Sequence, residues 1–263
     1  MQFSEERRVL LNKKIWLSVD VLFKNTVWYS SGSNLHSLDT QQRAYDIWNR
    51  ANDLVKKNDS PFDLTDGITN LKRSINHRLK LIEEIYHFKK IDFPEKPKGY
   101  LELLESYSIV RPYLMKTVME IRNHIEHNDT PPPNHQRCKE LVDMVWYFLK
   151  STDSLVSSLT TDFEFYIYDK NNNETHYGGT VYLDHTTHET MKILGWFPCE
   201  SLSTEKKENY IPLYVEALNG KEKWDDTKYH QDKLITDLWI IGTADTKDFN
   251  YHSFIRHLFI SAR

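Results

Sequence analysis

Through the first part of the chain, apolar residues recur at the spacing of a helix. Within residues 4–24, Leu11, Ile15, Val19 and Leu22 step by four, four and three, which predicts one buried helical face. The stretch SSGSN, residues 30–34, then reads as a loop. A second helix is expected from Asp39, because Asp39 and Gln42 have the spacing of a capping box. It turns Ala44, Ile47, Trp48, Ala51, Leu54 and Val55 toward a core. The third stripe, Leu71, Ile75, Leu79, Ile82 and Ile85, is the strongest periodicity in the chain and has charged residues opposite it. Two prolines and a glycine make residues 91–99 a connector. Val110, Leu114, Val118, Ile121 and Ile125 stripe a further helix, with Pro112 near its first turn and Pro131, Pro132 and Pro133 as its stop. A last helix carries Leu141, Val145, Phe148, Leu155 and Leu159.

Each of these helices exposes one apolar stripe that only the others can cover, so four to six of them predict a bundle. From Asp162 the period falls to two. DFEFYIYD alternates Phe163, Phe165 and Ile167 against Glu164 and Tyr166, KNNNE is a turn, and THYGGTVYLD is a returning strand. YIPLYVEAL and LITDLWIIGTAD are strand-like as well, the second able to begin as helix. The expected class is α+β: an N-terminal all-α helical bundle over residues 1–160, then a smaller α+β domain over residues 161–263, with no internal repeat.

Composition narrows the function. At 263 residues, 39% hydrophobic and 13% aromatic, the chain has material for a real core. It contains no apolar run of about 18 residues to span a bilayer. MQFSEERRVL also lacks the apolar stretch of a secretory signal, so no membrane association and a cytoplasmic location are expected. Cys138 and Cys199 are far apart, which leaves two reduced thiols rather than a disulfide framework or a Cys-rich zinc site. A net charge of −4 argues against coating nucleic acid by bulk electrostatics and leaves room for a local phosphate site.

The candidate chemistry lies in EIRNHIEHNDTPPP, residues 120–133. At 100° per residue Asn123 stacks on His127 and Arg122 on Glu126, so Arg122 and His127 flank each other. They are about 7.5 Å apart along the axis, close enough for two long side chains to bracket one phosphate. Other constellations lack parts. His124 with His127, and His185 with His188, have metal-ligand spacing but no third ligand, and read as satisfied or solvent-exposed imidazoles. No phosphate-binding loop, nucleophile elbow or H-E-x-x-H is present. The alternation in FEFYIY reads as a half-buried strand rather than a base-stacking platform.

The run RNHIEH sets an Arg, a polar residue and a His at the end of the penultimate helix of a bundle, and through it residues 1–160 resemble the HEPN family. The resemblance implies metal-independent RNA cleavage without a cofactor, in which the ribose 2′-hydroxyl attacks its own phosphate to leave a cyclic phosphate and a 5′-hydroxyl. Arg122, His127 and Asn123 are then the catalytic candidates. His127 acts as acid or base, Arg122 holds the phosphate, and Asn123 supplies an orienting hydrogen bond. His124, Glu126 and, from the third helix, His77 are candidate substrate-binding residues. A homodimer with a shared site, a toxin or antiviral-defence role, an RNA substrate and an antitoxin or defence-system partner are implied too. The C-terminal domain would select RNA, sense a trigger or bind an inhibitor. The alternative is a non-catalytic HEPN module that binds RNA, a nucleotide or a partner protein; a structural helical adaptor is a third class.

Overall fold

The computed structural model describes residues 14–24, 26–34, 38–219 and 238–262. Chain order begins with β1 (Lys14–Ser18), the four-residue helix α1 (Asp20–Phe23) and β2 (Thr26–Asn34). Six helices follow: α2 (Leu38–Lys57), α3 (Pro61–Tyr86), α4 (Tyr100–Ser106), α5 (Tyr113–Asn128), α6 (His135–Ser151) and α7 (Asp153–Ser157). Then come β3 (Ser158–Tyr168), β4 (Glu174–Leu183), β5 (Thr190–Phe197), β6 (Leu202–Ser203), β7 (Tyr210–Asn219), β8 (Leu238–Asp245) and α8 (Tyr251–Ser261). The described residues of Met1–Gly32 and Thr160–Arg263 form one compact unit, and those of Ser33–Leu159 form the other.

The first unit is built on an eight-stranded sheet of order β2-β3-β4-β5-β8-β7-β1-β6, antiparallel from β3 across to β6. This corrects the expected N-terminal all-α bundle with a smaller α+β domain behind it. The class is α+β, but the chain's first described elements are strands of a large sheet, and the division at residue 160 does not hold for residues 14–32. The helices come between β2 and β3, which are neighbours in that sheet. The misread segment has a physical reason. Ile15 and Val19 are four apart, a separation that fits two strand repeats as well as one helical turn. Ile15 and Leu17 are buried while Lys14, Trp16 and Ser18 are only partly covered, which is the period of a strand. Leu11 lies outside the described residues. SSGSN, expected as a loop, instead continues β2, a sheet-edge strand that needs hydrogen bonds on one side only.

Alternation sorts the strands into two faces. Phe163, Phe165, Val181, Ile193, Phe197 and Leu213 are buried on one face. There α8 packs with Phe254 on Trp28 and Phe259 on Phe163, the ring centroids 6.2 and 6.3 Å apart. The expected β3–β4 turn forms because the Asp169 carboxylate accepts hydrogen bonds from the backbone N–H groups of Asn171 and Asn173, with Asn172 left-handed at φ 67°. On the other face, Tyr166, Gly178, Trp196 and Trp239 lie in register across four strands.

In the helical unit α2 packs on α3, α6 covers both, and α5 lies along α3. The Ser60 hydroxyl caps α3 by accepting from the Asp63 N–H, with Pro61 in the first turn. Gly67 lets α3 approach α2, since a Cβ there would lie 2.8 Å from Val55 Cγ2. The last expected helix breaks at Thr152, whose hydroxyl donates back to the Phe148 carbonyl at 2.8 Å; Leu159 belongs to β3. Among the described residues no helix is long and apolar enough to cross a membrane.

Candidate functional site

Helix α5 buries Met115 and Val118 against the unit's core, and its polarity rises toward the C-terminus. Asp129 closes the helix in the left-handed region, at φ 51°, and the prolines prevent its continuation. Ile125, expected on the buried stripe, is only half-buried.

Arg122 forms an ion pair with Glu126 one turn on, and the same carboxylate oxygen, Oε2, lies 3.9 Å from His127 Nε2. Glu126 therefore pairs with Arg122 and lies near His127. The His127 side chain is 70% exposed against 21% for Arg122, so the imidazole is open to an incoming molecule while the guanidinium is set into the surface. Asn123 turns to α3, where its Oδ1 accepts from Lys72 Nζ at 2.8 Å. The Asn128 amide donates to His124 Nδ1 at 3.0 Å, which leaves His124 alongside the helix end. His77 is not brought to this group. It follows Lys72 by five residues, about 7.5 Å along α3 and 140° around it. Burial lowers its pKa, followed by the charge of Arg43 on α2.

A cavity of about 450 Å³ opens beside the motif, with Arg122 and Glu126 on one wall and Phe62, Thr65 and Thr69 of α3 on the other. Lys72 follows Thr69 by three residues on α3. Its pKa is lowered by burial and, next, by the positive charge of Arg122, so two cations share one neighbourhood. An anion placed between them would relieve that repulsion. The motif reading missed Phe62, Thr65, Thr69 and Lys72. A signal was present: they step by three, four and three, a second helical stripe one position from the apolar one at Leu64, Ile68 and Leu71.

The other histidine pair does structural work. His185 Nε2 donates to the Thr160 carbonyl at 2.6 Å, and His188 Nδ1 lies 3.1 Å from the Tyr251 hydroxyl, so both buried rings tie the β4–β5 connection to its surroundings. No group of three His, Cys, Asp or Glu side chains with metal-binding geometry occurs among the described residues. Cys138 is buried with its thiol toward the Pro133 carbonyl, and burial raises its pKa; Cys199 is exposed.

Comparison with known proteins adds no assignment: no family model, curated protein or solved structure matches the chain.

Proposed function

We propose that the protein is a metal-independent endoribonuclease of HEPN-like chemistry, acting through Arg122 and His127. The observation that carries this reading is the grouping of Arg122, Glu126 and His127 at one helix end, with Lys72 and Asn123 paired nearby and Arg122 and Glu126 lining a cavity. That set supplies the cations and one proton-transfer group for transesterification of RNA. Arg122 and Lys72 bind the phosphate and offset charge in the transition state. His127 takes the proton of the 2′-hydroxyl as its oxygen attacks phosphorus, and the bond to the 5′-oxygen breaks as that oxygen takes a proton from a second, protonated His127. The products are a cyclic phosphate and a 5′-hydroxyl. Glu126 occupies Arg122 until a phosphate displaces it. A second copy of the chain would supply the second His127, making the active species a homodimer. On this reading the chain works in the cytoplasm as a toxin or defence effector, with an antitoxin or defence-system partner holding it in check.

The ion pair also supports a second reading, a non-catalytic module that binds RNA, a nucleotide or a partner protein, because Glu126 neutralises the guanidinium that catalysis would need free. One experiment separates them. The purified chain is incubated with a mixed RNA pool in excess EDTA, beside His127→Ala, and the product ends are identified. Cyclic phosphate ends from the parent alone support the ribonuclease. Binding by both proteins without cleavage supports the module, and cleavage by both removes His127 from the chemistry.

A further inference from the structure

A trough of about 900 Å³ runs over β3, β4, β5 and β8 on the sheet face opposite α8. Tyr166, Gly178, Trp196 and Trp239 stand in register across those strands, with the two tryptophan rings 5.6 Å apart. Gly178 interrupts this aromatic row. A Cβ at Gly178 would lie 2.4 Å from the Phe165 carbonyl oxygen, so close backbone approach keeps the position bare and leaves a gap between the rings. An adjoining hollow of about 420 Å³ shares Glu164, Tyr166 and Glu174 with the trough and adds Tyr29, which meets Tyr166 edge to face, the centroids 5.8 Å apart and the planes at 76°, so the two rings make two walls of a box.

Two carboxylates line the trough, Glu164 and Glu174, and neither forms an ion pair among the described residues. The Tyr166 hydroxyl donates to Glu164 Oε2 at 3.3 Å, which aims the negative group at the ring's rim. Aromatic faces present negative charge, and rings at right angles beside carboxylates favour a cation that carries apolar carbon. Nucleic acid is disfavoured here, because the same carboxylates repel phosphate. The trough volume suits a small molecule or one long side chain.

We propose that this trough binds an organic cation, an ammonium or guanidinium group carried on an alkyl chain. The group sits against Tyr166 and Tyr29, paired with Glu164 and Glu174, and its carbon chain runs over Gly178 toward Trp239. The cation comes either from a free polyamine or from a basic side chain of a peptide. The proposal is independent of the ribonuclease reading, since it uses none of the residues of α5.

Calorimetry on the full chain tests it, with tetramethylammonium, spermidine and N-acetylarginine amide as probes. Neopentane-shaped 3,3-dimethyl-1-butanol serves as the uncharged control. Saturable binding of at least one cation and none of the alcohol is expected. Tyr166→Leu should weaken that binding roughly fivefold. The Glu164→Gln/Glu174→Gln variant should weaken it at least as much. All three side chains are on the solvent face, so unchanged circular dichroism will show that the variants fold. Spermidine binding ahead of the arginine derivative assigns a free polyamine, and the reverse order assigns a peptide side chain. Absence of saturable binding by every cation, equal binding of the alcohol, or affinity unchanged in the double Glu variant would overturn the proposal.

Discussion

Arg78, fully buried in α3, places both terminal guanidinium nitrogens 3.0 Å from Asp153 Oδ1 at the start of α7. The same Nη1 donates to the Leu149 carbonyl at 3.0 Å and lies 3.2 Å from the Thr152 hydroxyl. Tyr45 of α2 donates to the other Asp153 oxygen at 2.7 Å. One guanidinium thus caps the end of α6, holds the break before α7 and joins three helices.

This network predicts an asymmetry between its two ends. Asp153→Ala leaves a charged, buried guanidinium without its counter-charge and should cost about 3–5 kcal/mol of unfolding free energy. Arg78→Met replaces the charge with a shorter apolar chain, and the part-exposed Asp153 can turn to water, so its cost should be clearly smaller. Urea unfolding of the two variants beside the parent checks the order. Equal losses would mean that the pair itself, and not the stranded charge, sets the cost.

At the candidate site, Lys72 gives a second test because it contacts Asn123 and feels the charge of Arg122. If it neutralises one phosphate of a single-stranded RNA, Lys72→Ala should reduce the slope of log affinity against log salt by about 0.7. Binding should weaken by a similar factor for unrelated sequences, since a phosphate contact carries no base information. Glu126→Gln should act in the opposite direction, tightening RNA binding by freeing Arg122. Titrations at several salt concentrations read both effects. A slope unchanged in Lys72→Ala would place the RNA elsewhere.

What the sequence made legible follows from the kind of signal each element carries. The α3 stripe and the β3–β4 hairpin were readable because a long 3.6-residue repeat and a strict alternation each fit one structure. The start of the chain was not, because a step of four residues satisfies both periods, and only sheet partners far along the sequence, β6 and β7, turn Lys14–Ser18 into a strand. Strand β5 and helix α8 carry weaker signals: TMKILGWF is nearly continuous in its apolar character, and the start of YHSFIRHLFIS is marked by the N-cap Asn250, whose side chain accepts from the Ser253 N–H, without a long repeat to extend it. The site was half legible. Arg122, Glu126 and His127 adjoin on one helix, so local spacing places them, whereas Lys72 reaches Asn123 only through the packing of α3 on α5.

The contact at Gly67 sets the spacing of α2 and α3 and has a simple test. Gly67→Ala gains helix propensity of about 1 kcal/mol yet drives a methyl group against Val55. Overpacking of this kind costs about 1–3 kcal/mol, so a net loss is expected. In a Val55→Ala background the obstruction is gone, and the same substitution should become neutral or stabilising. A double-mutant cycle by urea unfolding measures the coupling. A loss that persists in the Val55→Ala background would place the strain in the backbone instead.

The C-terminal helix supplies a pH dependence whose sign can be worked out. His257 is set against Phe23, the ring centroids 4.4 Å apart, and its Nε2 has no hydrogen-bond partner among the described residues. Burial lowers its pKa below the ordinary 6.5, so the folded state prefers the neutral ring while the unfolded chain takes up the proton more readily. Stability from this group is full above the unfolded value and declines as the pH falls through it toward the folded value. His252 of the same helix, lowered by burial and then by the Arg256 charge, and His77 act with the same sign. The carboxylates held below their ordinary values, Asp169, Asp184 and Glu102, lose their contribution only at lower pH, near and below their own range. Between about pH 7.5 and 5.5 the histidines therefore dominate, and the urea midpoint should drop. His257→Leu, which cannot take up a proton, should flatten that drop. If the variant keeps the full pH dependence of the parent, the loss arises at His252 or His77 instead, and the same measurement on each of those variants identifies which.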